Sequence, residues 1–223
     1  MPAFSLLPAF SPDPATARRV AGWLLDSEAV RLRPAAPFTW SSGWRSPIYC
    51  DNRVTLAFPE IRTGVADALA DAARRHFPEA EAVSGVATAG IAQGALLAER
   101  LHCPFSYVRP QPKTHGMGNQ IEGRVLPGQR VVLVEDLVST GGSSLKAAEA
   151  LRQAGAEVVG MLAVFTYGFP QAERAFAEAG IQLVCLSDYA ALLVEAQARG
   201  VIGEAELASL AKWREAPETW GQS

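Results

Sequence analysis

The stretch Arg130-Val-Val-Leu-Val-Glu-Asp-Leu-Val-Ser-Thr-Gly-Gly-Ser-Ser144 decides how the rest of the chain is read. Its unbroken β-branched and leucine run, Val131 to Val134, predicts a strand buried on both faces of a parallel sheet. Glu135 and Asp136 stand where that strand is expected to end. A loop of hydroxyls and glycines follows, Ser139-Thr140-Gly141-Gly142-Ser143. A helical pattern then runs from Leu145 to Ala154, with Leu145, Ala148 and Leu151 on one face and Gly155 placed to stop it. Strand, Gly/Ser/Thr turn and helix N-terminus together form an anion cradle. Backbone N–H groups point outward, glycine lets the anion approach, and the helix dipole favours negative charge. The anion it suits is a phosphate.

The carboxylates sharpen this reading. A pocket for phosphate alone would not place two negative charges beside it, whereas acids there can hold sugar hydroxyls or the waters of Mg²⁺. Upstream, Ala82-Val-Ser-Gly-Val-Ala-Thr-Ala-Gly-Ile91 predicts a second such unit, with a strand over 83–86, a tight turn over 87–90 and a helix over 91–101. Alone, that turn is as consistent with close helix–sheet packing as with a ligand.

A third strand, Phe105 to Val108, leads into Arg109-Pro-Gln-Pro-Lys-Thr-His-Gly-Met-Gly-Asn-Gln-Ile-Glu-Gly123, polar and without apolar periodicity. A loop of that length in a compact domain is either a solvated surface segment or functional. Its Arg, Lys and His suit a diphosphate leaving group, and Gly116 and Gly118 are plausible hinges. Near the N-terminus, Pro37 to Arg53 reads as a turn between two β segments, 38–40 and 48–50, and taken alone is an ordinary hairpin with a polar tip.

The remaining elements continue the alternation. Helices are expected over 15–29 (apolar face Val20, Trp23, Leu24, Leu25) and 59–76 (Ile61, Val65, Leu69, Ala72), with His76 at the second one's C-terminus. Beyond residue 156 the pattern gives strand 157–167, helix 171–179, strand 181–186, a helix from 189 capped by Ser187-Asp188, and a last helix over 204–213. The fold class is therefore α/β: a central, mostly parallel sheet flanked by helices, with ligands at the strand C-terminal ends. The division expected is 1–60 for an N-terminal extension, helix and small hood, 61–200 for the core, and 201–223 for a C-terminal helix and tail.

With 223 residues, 49% of them hydrophobic, the chain can fill one packed domain with an appendage, or two small ones. A net charge of −3 gives no electrostatic case for nucleic acid. Cys50, Cys103 and Cys185 have no metal or redox spacing and are expected to be reduced. No apolar run approaches the roughly 18 residues of a membrane span, and Met1 to Pro8 lacks the basic region of a signal peptide. The expected location is the cytoplasm. Neither the G-x-G-x-x-G nor the G-x-x-x-x-G-K-[ST] pattern is present, which argues against dinucleotide and P-loop sites.

Three motifs together resemble those of type I phosphoribosyltransferases, and two of them are narrower. Phe38-Thr-x-Ser-Ser-Gly-x-x-Ser-Pro-x-Tyr-x-Asp51 and Arg109-x-x-x-Lys113-x-His115-Gly-x-Gly118 look like the hood signature and catalytic loop of orotate phosphoribosyltransferases. The resemblance implies transfer of ribose 5-phosphate from 5-phosphoribosyl 1-diphosphate to orotate, with Mg²⁺ bound mainly through substrate and water. It places Glu135, Asp136, Leu137, Val138, Ser139, Thr140, Gly141, Gly142 and Ser143 around the sugar and its 5′-phosphate, with the two acids on the ribose hydroxyls. Thr88 and Ala89 fall in the diphosphate turn, and Ala89 stands at a frequently basic position, so contact there would come from the backbone. Arg109, Lys113 and His115 are implied diphosphate contacts and, with Asp136, the catalytic set. The 109–119 loop is implied to cross a homodimer interface.

The chain departs from the family at several positions. Ser41 replaces a lysine, leaving Arg45 as a substitute, and Pro110 and Gln111 stand where a further basic residue is common. Tyr167-Gly168-Phe169 replaces a segment with an arginine for the orotate carboxylate, so Ser139 becomes the candidate base contact. Two other readings share the 135–143 cradle: a transferase for a purine or another pyrimidine, and a non-enzymatic sensor of the activated sugar.

Overall fold

The computed structural model describes residues 13–39, 43, 45–111 and 120–220. Helix α1 (Pro14–Asp26) starts with Pro14 at its first position, and Asp13 Oδ2 accepts from the Thr16 N–H at 2.9 Å. It stops before residue 29, the expected end, because Ser27 closes it. The Ser27 N–H and hydroxyl both donate to the Trp23 carbonyl, at 3.0 and 2.7 Å. That frees Val30–Leu32 to form β1.

The hood is built differently from the single hairpin expected. Phe38–Thr39 (β2) pairs with Arg45–Ser46 (β3), while Ile48–Cys50 (β4) pairs antiparallel with β1, Tyr49 opposite Arg31. Ser46 causes the switch of partner: its buried hydroxyl donates to the Ile48 carbonyl at 2.8 Å and turns the chain at Pro47. A 3₁₀ helix, Asn52–Ala57, follows and was not foreseen. Helix α2 (Pro59–His76) then buries Val65 and Leu69 completely, while Ile61 and Ala72 pack half-buried against the same core.

The six strands of the main sheet are β5 (Ala82–Val86), β6 (Phe105–Val108), β7 (Ile121–Gly123), β8 (Arg130–Val138), β9 (Glu157–Thr166) and β10 (Leu183–Asp188). Their order is β10-β9-β8-β5-β6-β7, all parallel except β7, which runs antiparallel beside β6. Helices α3 (Gly90–Leu101), α4 (Gly142–Gln153), α5 (Pro170–Glu178), α6 (Tyr189–Ala198) and α7 (Glu204–Glu215) complete the chain. Successive residues of β8 feed opposite cores. Val132 and Val134 pack toward α1, α2 and α3, whereas Val131 and Leu133 pack toward α4 and α5. Each such fully buried side chain contributes about 1.5–3 kcal/mol, which is why the run has no polar alternation.

Three corrections to the sequence reading bear on the site. Strand β8 runs through Val138, well past Val134, so the two acids belong to the strand rather than to the loop behind it. Helix α4 begins at Gly142, three residues before Leu145. The long loop after β6 is also shorter than expected, because Ile121–Gly123 is recruited as the edge strand.

At the far edge, α1 lies on β10 and α6. The Ser187 hydroxyl donates to the Ala17 carbonyl at 2.8 Å, and Glu195 bridges Arg18 and Arg199, each at 2.7 Å. No helix among the described residues is long and apolar enough to cross a membrane.

Candidate functional site

Strands β5 and β8 are parallel neighbours, with Gly85 opposite Val134, so the turns that follow them leave from one edge of the sheet. They also touch. A Cβ on Gly90 would strike the Val134 carbonyl and come within 3.3 Å of the Glu135 Cα. Gly85 makes a second close approach, since a Cβ there would lie 2.7 Å from the Gly90 carbonyl oxygen. The glycines therefore press the start of α3 directly onto the sheet beside the acids. The Ala87–Thr88 peptide in this turn is cis.

Helices α3 and α4 share a second property. Helices α1 and α6 carry aspartate side-chain caps, Asp13 and Asp188, but α3 and α4 begin after Ala89 and Gly141 with no side-chain cap. Their leading N–H groups point into a common edge and suit an anion. Gly141 has φ of +84° and rests on Phe176, where a Cβ would come within 2.8 Å of the ring. The adjacent Gly142 has nothing within 4 Å of where its Cβ would stand. The loop is thus supported from beneath and open above.

The acids are not equivalent. Glu135 is buried, 5% exposed, with Oε2 accepting from the Ser144 hydroxyl at 3.2 Å and Oε1 from the Asp136 N–H at 3.1 Å. Burial, reinforced by the neighbouring Asp136 charge, pushes its carboxyl up to about 9. Asp136 is half-buried at the strand end; burial raises its carboxyl too, against the lowering effect of its hydrogen bond with Glu135 and, less strongly, of the Arg53 guanidinium. The pair therefore prefers to share charge rather than carry two. A cation or sugar hydroxyls at Asp136 would relieve that. One accessible carboxylate beside an anion cradle fits Mg²⁺ held mostly by phosphate oxygens and water.

The structure brings together most of the residues singled out from the sequence. Glu135, Asp136, Leu137 and Val138 form the end of β8, with Ser139, Thr140 and Gly141 in the loop and Gly142 and Ser143 in the first turn of α4. Thr88 and Ala89 form the facing turn. Arg109 leaves β6 at the same edge, since Val108 pairs with Val86, and its Nη1 lies 3.4 Å from Glu122 Oε1. Its N–H donates to the Gln120 carbonyl at 2.8 Å, and Gln120 Nε2 donates back to the Arg109 carbonyl at 2.9 Å. Lys113 and His115 lie outside the described residues, as does Ser41. Arg45 is exposed on β3.

Three participants escaped the sequence reading. Ser144 is the buried partner of Glu135, and only its place one residue past the Ser-Thr-Gly-Gly-Ser run hinted at it. The buried Thr166 hydroxyl donates to the Val138 carbonyl at 2.9 Å and accepts from the Gly168 N–H at 3.0 Å, tying the end of β9 to the cradle. Asn52 Nδ2 donates to the Asp136 carbonyl at 2.6 Å from 84 residues away. Its sole signal was adjacency to Asp51 of the hood pattern.

Comparisons with known proteins show what the chain is similar to. Residues 56–179 match the family described as phosphoribosyl transferase domain. An orotate phosphoribosyltransferase of Cytophaga hutchinsonii is 55% identical over 203 residues, covering 91% of this chain and 97% of that protein. The crystal structure of orotate phosphoribosyltransferase from Aeropyrum pernix superposes with a TM-score of 0.71 at 35% identity, over 82% of this chain and 99% of that one. The Mycobacterium tuberculosis H37Rv enzyme in complex with 5-phospho-α-D-ribosyl 1-diphosphate shares the fold, with a TM-score of 0.61 at 23% identity over 79% and 98% of the two chains.

Proposed function

The chain belongs to the orotate phosphoribosyltransferase family, and we propose that the N-termini of α3 and α4 grip the two phosphate ends of one 5-phosphoribosyl 1-diphosphate. The diphosphate lies at 87–90 and the 5′-phosphate at 139–143. The observation that carries this reading is the contact of Gly90 with the end of β8, which sets both turns on one edge with the acids between them. Asp136 holds the ribose hydroxyls, and Glu135, braced by Ser144, sets its orientation. Ser139 contacts orotate.

As the bond from the ribose C1 to diphosphate breaks, C1 becomes cationic and the ring nitrogen of orotate takes its place. No protein nucleophile is required. The protein's part is positioning, together with stabilising charge on the leaving group. Arg109, Lys113 and His115 contribute to that stabilisation, by their likeness to the family's loop. Arg109 leaves Glu122 when the diphosphate arrives. Asp136 would lie beside Mg²⁺ carried in with the substrate, which would supply neutralising charge to the diphosphate. The working form is a homodimer in the cytoplasm, with the 109–119 loop shared between subunits.

Turnover of orotate with and without Mg²⁺, beside a panel of purine and pyrimidine bases, tests the proposal. Orotate-selective, Mg²⁺-dependent release of diphosphate is expected. Equal use of adenine or uracil would favour a broader transferase, and binding of the activated sugar without turnover of any base would favour a sensor.

A further inference from the structure

We infer that Asn52 is a positioning residue, which locks the Asp136 segment to the hood and so couples the base side of the site to the sugar side. The inference rests on the reading above that Asp136 holds the ribose hydroxyls. Asn52 is 1% exposed, and both ends of its side chain are engaged. Nδ2 donates to the Asp136 carbonyl at 2.6 Å, and Oδ1 accepts from the Cys50 thiol at 3.2 Å. The Asp136 carbonyl can only accept, so the amide nitrogen has to face it. The Asn52 carbonyl in turn accepts from the Thr55 hydroxyl at 2.6 Å, which fixes the first turn of the 3₁₀ helix.

The two ends of this link belong to different parts of the site. Asn52 follows β4, the hood strand held by β1, and the Asp51 N–H donates to the Ala29 carbonyl at 2.7 Å. Asp136 sits beyond the last residue of β8 that pairs with β5, Val134, where the ladder no longer holds the strand on that side. A displacement of the hood therefore moves Asp136, and the carboxylate turns with its own backbone. The amide offers a donor to the carbonyl from one atom and an acceptor to the thiol from another at neutral pH. An ionised aspartate would set acceptor against acceptor, whereas a protonated one would restore the donor.

That chemistry supplies the test. We would measure steady-state kinetics for the wild type, Asn52→Ala, Asn52→Asp and Asp136→Asn, with thermal melts alongside. Asn52→Ala is expected to lower kcat/KM for the activated sugar by about 10- to 100-fold at every pH. Asn52→Asp is expected to be as poor near pH 9 and to recover about tenfold relative to the wild type toward pH 6, as the introduced carboxyl gains a proton. Taking the ratio to wild type at each pH divides out the titrations common to both proteins, those of Glu135, Asp136, Cys50 and Tyr167, which share this neighbourhood with the charges of Asp51 and Arg53.

A merely structural role would lower the melting temperature and leave that ratio flat, which would overturn the inference. Unimpaired Asn52→Ala would overturn it as well. Should Asn52→Ala fail to fold, the isosteric Asn52→Asp carries the test alone. If Asp136→Asn binds the activated sugar normally, the sugar role of Asp136 falls and takes the inference with it. If Asp136→Asn is impaired and the Asn52→Asp ratio is flat, only the inference falls.

Discussion

Gly90 lies against the carbonyl of Val134 with no room for a Cβ between them, and this contact joins the turn after β5 to the end of β8. Gly90→Ala has to push the two turns apart. The expected cost is about 1–3 kcal/mol of stability and about 10- to 100-fold in kcat/KM for the activated sugar. Denaturant unfolding and steady-state kinetics check both. Normal kinetics in a folded variant would mean that the spacing of the turns does not matter.

Gly142 is the opposite case, because open space lies above it. In the first turn of α4, alanine is a better helix former than glycine, so Gly142→Ala is expected to keep or raise stability by up to about 1 kcal/mol. If the 5′-phosphate binds where we propose, the added methyl stands in its approach and KM for the activated sugar is expected to rise at least about tenfold. Calorimetry and KM together separate the two effects.

Glu135 gives a dependence on pH. Its folded carboxyl is raised from 4.5 to about 9 by burial and by Asp136. The unfolded chain ionises first, so stability is fully present below about pH 4.5 and is lost as pH rises toward 9. Glu135→Gln keeps the contacts to Ser144 and the Asp136 N–H without that penalty. The melting temperature of the variant is expected to exceed that of the wild type increasingly from pH 5 to about pH 8, while turnover falls. A constant difference across pH would show that Glu135 ionises freely in the fold.

Lys113 carries the loop's expected contribution. Lys113→Ala is expected to lower turnover by about 100- to 1000-fold, the scale of one preorganised charge contact. Mixing it with Asp136→Asn subunits is expected to restore part of the activity if each site takes its loop from the neighbour. Isolated heterodimers without recovery would remove the shared site.

Much of this was legible in the chain because burial writes itself into sequence. Val131 to Val134 is apolar on both faces since two helical layers cover it, and Gly141 and Gly155 mark backbone with positive φ. The acids and the Ser-Thr-Gly-Gly-Ser loop were legible because their chemistry is local. What stayed hidden depends on partners distant in sequence. Ile121–Gly123 has no strand pattern of its own and becomes one by pairing with Ser106 to Val108. Ile48–Cys50 pairs with Val30–Leu32 rather than with its nearer neighbour, and nothing in three residues specifies that. Asn52 and Thr166 act through hydrogen bonds spanning 84 and 28 residues, with no spacing signature.

The packing of α1 on β10 and α6 has a consequence for how the molecule is made. Helix α1 finds its seat among residues 183–198, with Ser187 standing 170 residues beyond the Ala17 it holds. The hood follows α1 directly, so its anchorage is complete only once β10 and α6 have been made. A product stalled after α4 would carry both glycine turns and lack the surface on which α1 and the hood behind it come to rest.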